Sequence, residues 1–514
     1  MTKPPIFIFG VPRSGTTLLR TLLNAHPHIA CGPEAPWLAN HQRNNVMALY
    51  QSLTAGEYSF TRNFGVPPER VRVRLRELVD GLFNDFALQQ DKTRWAHKTP
   101  DDCLYAPFFT QLFPDARYLH ITRHPLDVAL STARIPAHQK GVSPWHEEHL
   151  LFEPNCVVQN TLFNCALRWR RWNARLRADL AGCACHHLTY EDLVTRPKET
   201  MADVCAFLDE PFAPEMLDYA RADTLFPAWE RGSVDVRAAG QITSSRAGRW
   251  KTELTADEAR LLFSIADPHA VSPPPFPAIQ PSARLASATE LAAPLFTSLM
   301  DGLNALAAPL SLQTHTDWSK VWEYPWLWYH GMETLDAAGL RVVDIGSELS
   351  PLPWLLALRG AHVTLIETDP QWVPVWEKTR LILGVKVDWH IIASEALPLP
   401  NAYADAVTSL SVIEHIADKT RAVSEMVRIL KPQAPLFISF DICEPDRGMT
   451  FPEWNGRALT LAEFERDFWL HPAFGNRAPP TWNLDDIPAF KAWHLKSAPH
   501  HNYVVGAAVL IKRP

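Results

Sequence analysis

Pro5-Ile6-Phe7-Ile8-Phe9-Gly10-Val11-Pro12-Arg13-Ser14-Gly15-Thr16-Thr17-Leu18-Leu19 decides how the first half of the chain folds. A short apolar run stops at Gly10, a tight loop follows, and an amphipathic helix begins near Thr16. That reads as a strand, a phosphate-cradling loop and a helix N-terminus, where unsatisfied N–H groups and the helix dipole favour an anion. The spacing approaches G-x-x-x-x-G-K-[ST], with Gly10, Gly15 and Thr17 in place. Thr16 stands at the lysine position, so the side chain that would reach the outer phosphates of a triphosphate is missing. Backbone N–H groups, two hydroxyls and Arg13 remain to hold an anion.

Four further segments accompany this loop. Ala30-Cys31-Gly32-Pro33-Glu34 follows the first helix. Trp95-Ala96-His97-Lys98-Thr99-Pro100 supplies a lysine. Ala116-Arg117-Tyr118-Leu119-His120-Ile121-Thr122-Arg123 reads as a strand that delivers Arg123 at its carboxyl end, where α/β sheets place ligands. A helix carrying Ser131 comes next. Ser244-Ser245-Arg246-Ala247-Gly248-Arg249-Trp250-Lys251 is a basic, glycine-containing loop suited to a second phosphate.

With these motifs in order, the first 265 or so residues resemble the sulfotransferases that use 3′-phosphoadenosine-5′-phosphosulfate (PAPS), in the branch of the tyrosylprotein enzymes and their bacterial relatives. The resemblance implies a P-loop-like parallel-sheet fold, with Arg13, Ser14, Gly15, Thr16 and Thr17 on the 5′-phosphosulfate. It puts Arg123 and Ser131 on the 3′-phosphate. Tyr190, in Leu188-Thr189-Tyr190-Glu191-Asp192-Leu193, and the late loop Arg246, Gly248, Arg249 and Lys251 complete the nucleotide site. Glu34 falls on the glutamate that acts as base on the acceptor hydroxyl, with a proline before it where relatives often differ. Sulfuryl transfer explains the missing lysine: there is no β/γ-phosphate chain to clamp. The bisphosphate leaving group needs fixed cations, supplied here by Arg13 and Lys98.

The chain has 514 residues, enough for two or three domains of roughly 150–200 residues. It is 47% hydrophobic and 20% charged with net charge −7, which gives no sign of a nucleic-acid partner. No apolar run reaches the roughly 18 residues of a membrane span. Met1-Thr2-Lys3-Pro4-Pro5 runs into the first strand without a signal-peptide pattern, and the eight cysteines are scattered. Together these point to a reducing cytoplasm. Residues 1–267 read as the first domain, the proline-rich 268–284 as an extended linker, and 285–514 as the second domain. Within the last, 285–339 reads as a helical and aromatic cap. Its helical stretch, Leu285 to Leu310, is interrupted by Glu290 and Asp301, and an aromatic run follows from Trp318 to Tyr329.

Leu340-Arg341-Val342-Val343-Asp344-Ile345-Gly346 is a buried strand entering a glycine turn. Val363-Thr364-Leu365-Ile366-Glu367 is a second strand ending in an acid, at the spacing that binds the ribose of an adenosine cofactor. Ala404 to Ile416 and Arg428-Ile429-Leu430-Lys431-Pro432 follow. This ordered set resembles a class I S-adenosylmethionine (SAM) methyltransferase with a Rossmann-like fold, over Arg341 to Ile442, with Val504 to Ile511 as a late strand. The resemblance implies that Asp344, Gly346 and Ser347 line the methionine side, Glu367 binds the ribose, and Ser411 and His415 flank the cofactor. The usual adenine-contacting acid falls on Ala393, beside Ser394 and Glu395. The glycine turn has one glycine where three are usual.

Cys183, Cys185 and His187 alternate on one strand, but no second ligand pair stands at a metal-like spacing, and no metal is expected. Arg168-Trp169-Arg170-Arg171-Trp172 reads as a solvated face with core tryptophans. The expected function is a bifunctional α/β enzyme using PAPS and SAM on a small-molecule, glycan or lipid acceptor. The alternatives are a monofunctional sulfotransferase whose second domain is a binding or scaffolding module, and a nucleotide kinase.

Overall fold

A computed structural model describes residues 3–39, 45–134, 161–218, 241–266, 279–335, 337, 339–394, 396–443, 457–475, 478, 480–497 and 503–514. They form two compact units. The first comprises the described residues up to Arg134 and from Cys165 to Thr255, the second residues 161–164 and those from Ala256 to Pro514.

The first unit is a five-stranded sheet of β1 (Ile6–Phe9), β2 (Ile29–Cys31), β3 (Arg94–Lys98), β4 (Arg117–Thr122) and β5 (Cys185–Thr189), in the order β2-β3-β1-β4-β5. Every pairing is parallel, with Ile6 opposite Ala96 on one side and Arg117 on the other. Both faces are covered, which is why β1 is apolar throughout rather than alternating with polar residues. Ile6 and Ile8 pack with Leu19, Leu22 and Leu23 of the helix Thr16–Asn24. Phe7 and Phe9 turn to the other face, against Phe109 and Tyr118.

The second unit is a seven-stranded sheet. It contains β6 (Ser282–Leu285), β7 (Arg341–Ile345), β8 (His362–Glu367), β9 (Val387–Ile391), β10 (Ala406–Leu410), β11 (Pro435–Ile442) and β12 (Val504–Ile511), ordered β6-β12-β11-β10-β7-β8-β9. β7 to β11 are parallel, while β12 pairs antiparallel with both β11 and β6. The strand order reverses between β7 and β10, the position where doubly wound sheets bind ligands. The aromatic run forms the helix Lys320–Tyr329, which buries Trp322, Trp326 and Trp328 and packs on β11 and β12.

Three expectations change. Ser282–Leu285 is an edge strand paired with β12, where a linker was expected through residue 284. The helix Ala256–Ile265 groups with the second unit, although the domain boundary was placed after residue 267. The helical stretch breaks at Ala292–Ala293 ahead of Pro294, and Asp301 lies inside the helix Pro294–Ala307. Proline disfavours helix in the residue before it but is pre-set for the first helical turn.

Candidate active sites

The opening loop is built by backbone conformation. Gly15 has φ 95°, and a Cβ there would lie 2.5 Å from Tyr190 Cδ2. Arg13 also sits in the left-handed region, at φ 75°. These turns place Gly15 as the cap of the helix Thr16–Asn24. Ser14 is buried, and among the described residues its hydroxyl finds no partner. A buried orphan hydroxyl at a helix N-terminus, beside a glycine no other residue can replace, fits a phosphate-type ligand such as the 5′ end of PAPS.

The residues expected at the second phosphate converge here. Arg13 Nε donates to Ser131 Oγ at 2.9 Å. Arg123 donates to the Arg13 carbonyl at 3.2 Å and to the Arg246 carbonyl, and stacks over Tyr190 at 4.5 Å. Arg249 instead pairs with Glu253, one turn along its own segment, and Lys251 lies over Trp250. Thr16 is buried, and the Thr17 carbonyl accepts from Thr21.

Glu34 and Lys98 form an ion pair in which the lysine is buried and the carboxylate partly exposed. The Ala35 N–H donates to Thr99 Oγ1 at 2.9 Å, so β3 holds the glutamate's loop from two adjacent residues. Behind Lys98, His97 Nε2 lies 2.6 Å from Asp102. Burial, then the Lys98 charge, lowers His97 to about 3. Burial, then Asp101 and Glu34, raises Asp102 well above its usual value. Burial thus disfavours the charged form of both partners in this hydrogen bond.

Two positioning groups had no signal in the sequence. Asp127 accepts from the Gly248 N–H at 2.7 Å and from the Trp250 N–H at 3.1 Å, and Trp250 stacks on His124. Trp169 donates to the Arg123 carbonyl at 2.8 Å. Asp127 thus ties the basic loop to the helix that carries Ser131. Asp127→Asn must turn one N–H against another, and 3′-phosphoadenosine 5′-phosphate (PAP) should bind about tenfold more weakly. Calorimetric titration with PAP measures it; affinity within about twofold of wild type would refute the anchoring role.

Arg168 corrects an expectation: it is buried and lies over Trp172 rather than on a solvated face. Its guanidinium packs on the indole as a planar cation. Cys185 and His187 stand on β5, while Cys183 lies before it rather than on the same strand, and His187 Nδ1 is 3.2 Å from His120 Nδ1. Among the described residues the groups spaced for a metal are His26, His28 and Glu210. There His26 already accepts the His28 N–H and donates to the Pro211 carbonyl, and Glu210 pairs with Lys3 and Arg94.

In the second unit, Asp344 closes β7 and accepts from Thr408 on β10, across the switch point. Burial raises its carboxyl to about 6, against the pull of Thr408 and Ser347. Gly346 has φ 73°, and a Cβ there would meet Val412 Cγ2 at 2.3 Å. Ser347 is buried, its hydroxyl on the Asp344 carbonyl. Glu367 ends β8 and accepts from the Glu348 N–H at 3.4 Å. Ser411, at φ 54°, donates to Glu323 at 2.8 Å, and His415 lies in the short turn that follows. Ser394 is exposed and accepts from the Ala396 N–H, and Glu395 lies outside the described residues. A turn that excludes a side chain at Gly346, flanked by two strand-end acids, fits the amino-acid and ribose parts of SAM.

Residues 4–214 match a family model described as Sulfotransferase family, and residues 343–438 one described as Methyltransferase domain. The chain joins a sulfotransferase domain to a methyltransferase domain. The sulfotransferase half is 27% identical over 226 residues to protein-tyrosine sulfotransferase A of Caenorhabditis elegans, covering 42% of this chain and 53% of that protein. The methyltransferase half is 37% identical over 106 residues to the ubiquinone biosynthesis O-methyltransferase of Xanthomonas axonopodis, covering 20% of this chain and 44% of that one. The chain thus spans about half the length of each. A solved sulfotransferase domain from the curacin biosynthetic pathway is 20% identical, with a TM-score of 0.34, over 49% of this chain and 92% of its own.

The methyltransferase domain has a feature that the sequence reading missed. Lys320 and Glu323, one helical turn apart on Lys320–Tyr329, reach the carboxyl ends of β10 and β11. Lys320 donates to Glu323 at 2.8 Å and to the Leu410 carbonyl at 3.2 Å, and Glu323 also accepts from Ser319 and Ser439. The aromatic run was read as part of a cap; its tryptophans pack on the sheet, and its two charged residues bond to Leu410, Ser411 and Ser439. Among the described residues, no helix is long and apolar enough to cross a membrane.

Proposed function

We propose that this chain transfers a sulfuryl group from PAPS to an acceptor hydroxyl and a methyl group from SAM to the same or a related acceptor, in natural-product or glycan tailoring. The observation that carries it is the pair of glycine turns, at Gly15 and Gly346, each following the first strand of its domain's parallel sheet. Each has a backbone conformation that leaves no room for a side chain. The relatives' names, a sulfotransferase and an O-methyltransferase, support the same two transfers.

In the first domain PAPS supplies an activated sulfuryl group. Glu34 accepts the acceptor's proton, and Lys98, bonded to it, carries positive charge toward the leaving group. Arg123, Ser131 and Tyr190 hold the nucleotide, with the basic loop positioned by Asp127. In the second domain SAM supplies the methyl group, while Asp344 and Glu367 orient it. Tethering two domains that use one intermediate raises its local concentration.

Thermal shift on the full chain tests the reading. PAP and S-adenosylhomocysteine should each raise a transition, additively, and ATP with magnesium should raise neither. No response to S-adenosylhomocysteine would favour a scaffold role for the second domain, for which the single glycine of its turn is the supporting feature. Comparison of metabolites from cells with and without the protein then identifies the acceptor.

A further inference from the structure

Three carboxylates act on one another electrostatically beside one lysine at the carboxyl edge of β10 and β11. Glu323 is bonded to Lys320. Glu414 lies in the turn Ile413–His415 after β10, and Asp441 lies near the end of β11, two residues beyond Ser439, whose carbonyl takes the Ser411 N–H. Glu414 is 1% exposed, and among the described residues neither of its buried carboxylate oxygens has a hydrogen-bond partner. The nearby cations are committed elsewhere: Lys320 to Glu323 and the Leu410 carbonyl, Lys419 to the carbonyls of Glu414 and Ile416. A buried carboxylate that the protein leaves unpartnered is waiting for a proton or a ligand.

We propose that Glu414 and Asp441 form an acid pair that holds a shared proton in the free protein and recognises the positive sulfonium of the methyl donor, distinguishing it from the neutral thioether product. This rests on the reading of the second domain as a SAM site. Two ionised carboxylates beyond the Lys320–Glu323 pair are too costly to bury, so a proton stays until a cation replaces it. Burial moves Glu414 up to about 7 and Asp441 well above its usual value, the latter raised further by Glu414 and Glu323. The groups that interact electrostatically with Glu414 are Lys320 and Glu323 from the aromatic helix, Lys419 from the helix Lys419–Ile429, Asp441 from β11, and Tyr503 at the head of β12, with His415 next to it in sequence. The same negative wall repels anions. The methylated atom is therefore an uncharged hydroxyl or amine, and not a carboxylate or a newly installed sulfate.

Calorimetric titration of the full chain with SAM and with S-adenosylhomocysteine, each near neutral pH in phosphate and in Tris, reads the proton directly. SAM should release a proton, seen as a binding heat that depends on the buffer, and S-adenosylhomocysteine should not. Glu414→Gln and Asp441→Asn should abolish that difference and lower the preference for SAM over its product by about tenfold. If one variant fails to fold, the other serves. Equal proton release with the two ligands in wild type, or a difference that survives the substitutions, would overturn the acid pair alone. Binding of neither ligand would overturn the donor-site reading and this inference with it.

Discussion

Glu34→Gln is expected to slow sulfuryl transfer by about 10²–10⁴-fold while leaving PAP affinity within about threefold. Glutamine matches glutamate in size, and its amide oxygen still accepts from Lys98, so the ion pair becomes a hydrogen bond without a void. What it loses is the capacity to take a proton, which the acceptor hydroxyl needs as its oxygen attacks sulfur. The backbone beside it stays tethered, because the Ala35–Thr99 hydrogen bond does not involve the side chain. PAP affinity is the control, since the nucleotide contacts fall to Arg123, Ser131 and the basic loop. The rate of PAP release with the identified acceptor and a calorimetric titration separate the two effects. A rate near wild type would remove Glu34 as the base, and a parallel collapse of PAP binding would make its role structural.

Lys320→Met should destabilise the methyltransferase domain by about 3–5 kcal/mol at neutral pH. Lys320 is mostly buried, and Glu323 is fully so. Burial works against ionising Glu323, but Lys320 and the hydroxyls of Ser319 and Ser439 outweigh it and hold the carboxyl below its usual range. A carboxyl lowered in the folded state contributes stability that is present above its unfolded range and lost as pH falls through its folded one. Removing the lysine therefore costs most at neutral pH and progressively less in acid, where Glu323 can take a proton instead. Scanning calorimetry at neutral and mildly acidic pH, scored on the transition that S-adenosylhomocysteine raises, measures both parts. A loss under about 1 kcal/mol, or one equal at the two pH values, would show that the pair is not supporting this cleft.

Much of the fold was legible because it rests on local rules. Gly10, Gly15 and the apolar run before them announce a strand and a helix N-terminus within fifteen residues. Asp344, Gly346 and Glu367 do the same for the second sheet. Arg123 and Ser131 were assignable together only through the resemblance: Arg123 follows β4, and Ser131 lies in the helix Pro125–Ala133. The edge strand Ser282–Leu285 was not legible: four residues after a proline-rich stretch become a strand through pairing with β12, more than two hundred residues away.

The positioning groups were hidden for the same reason. Asp127 looks like an ordinary first-turn helix acid, and its meaning depends on N–H groups 121 and 123 residues later. Glu323 looks like one polar residue in an aromatic helix, until Ser411 and Ser439 arrive 88 and 116 residues on.

The sequence by itself determined two α/β domains and their order, because strand periodicity and glycine turns act over a few residues, while the donors came through the resemblance. Only the tertiary structure decided which charges face one another: Glu34 with Lys98, Asp127 with the basic loop, and Glu414 and Asp441 beside the Lys320–Glu323 pair. Those encounters are set by sheet order and packing between segments far apart in the chain.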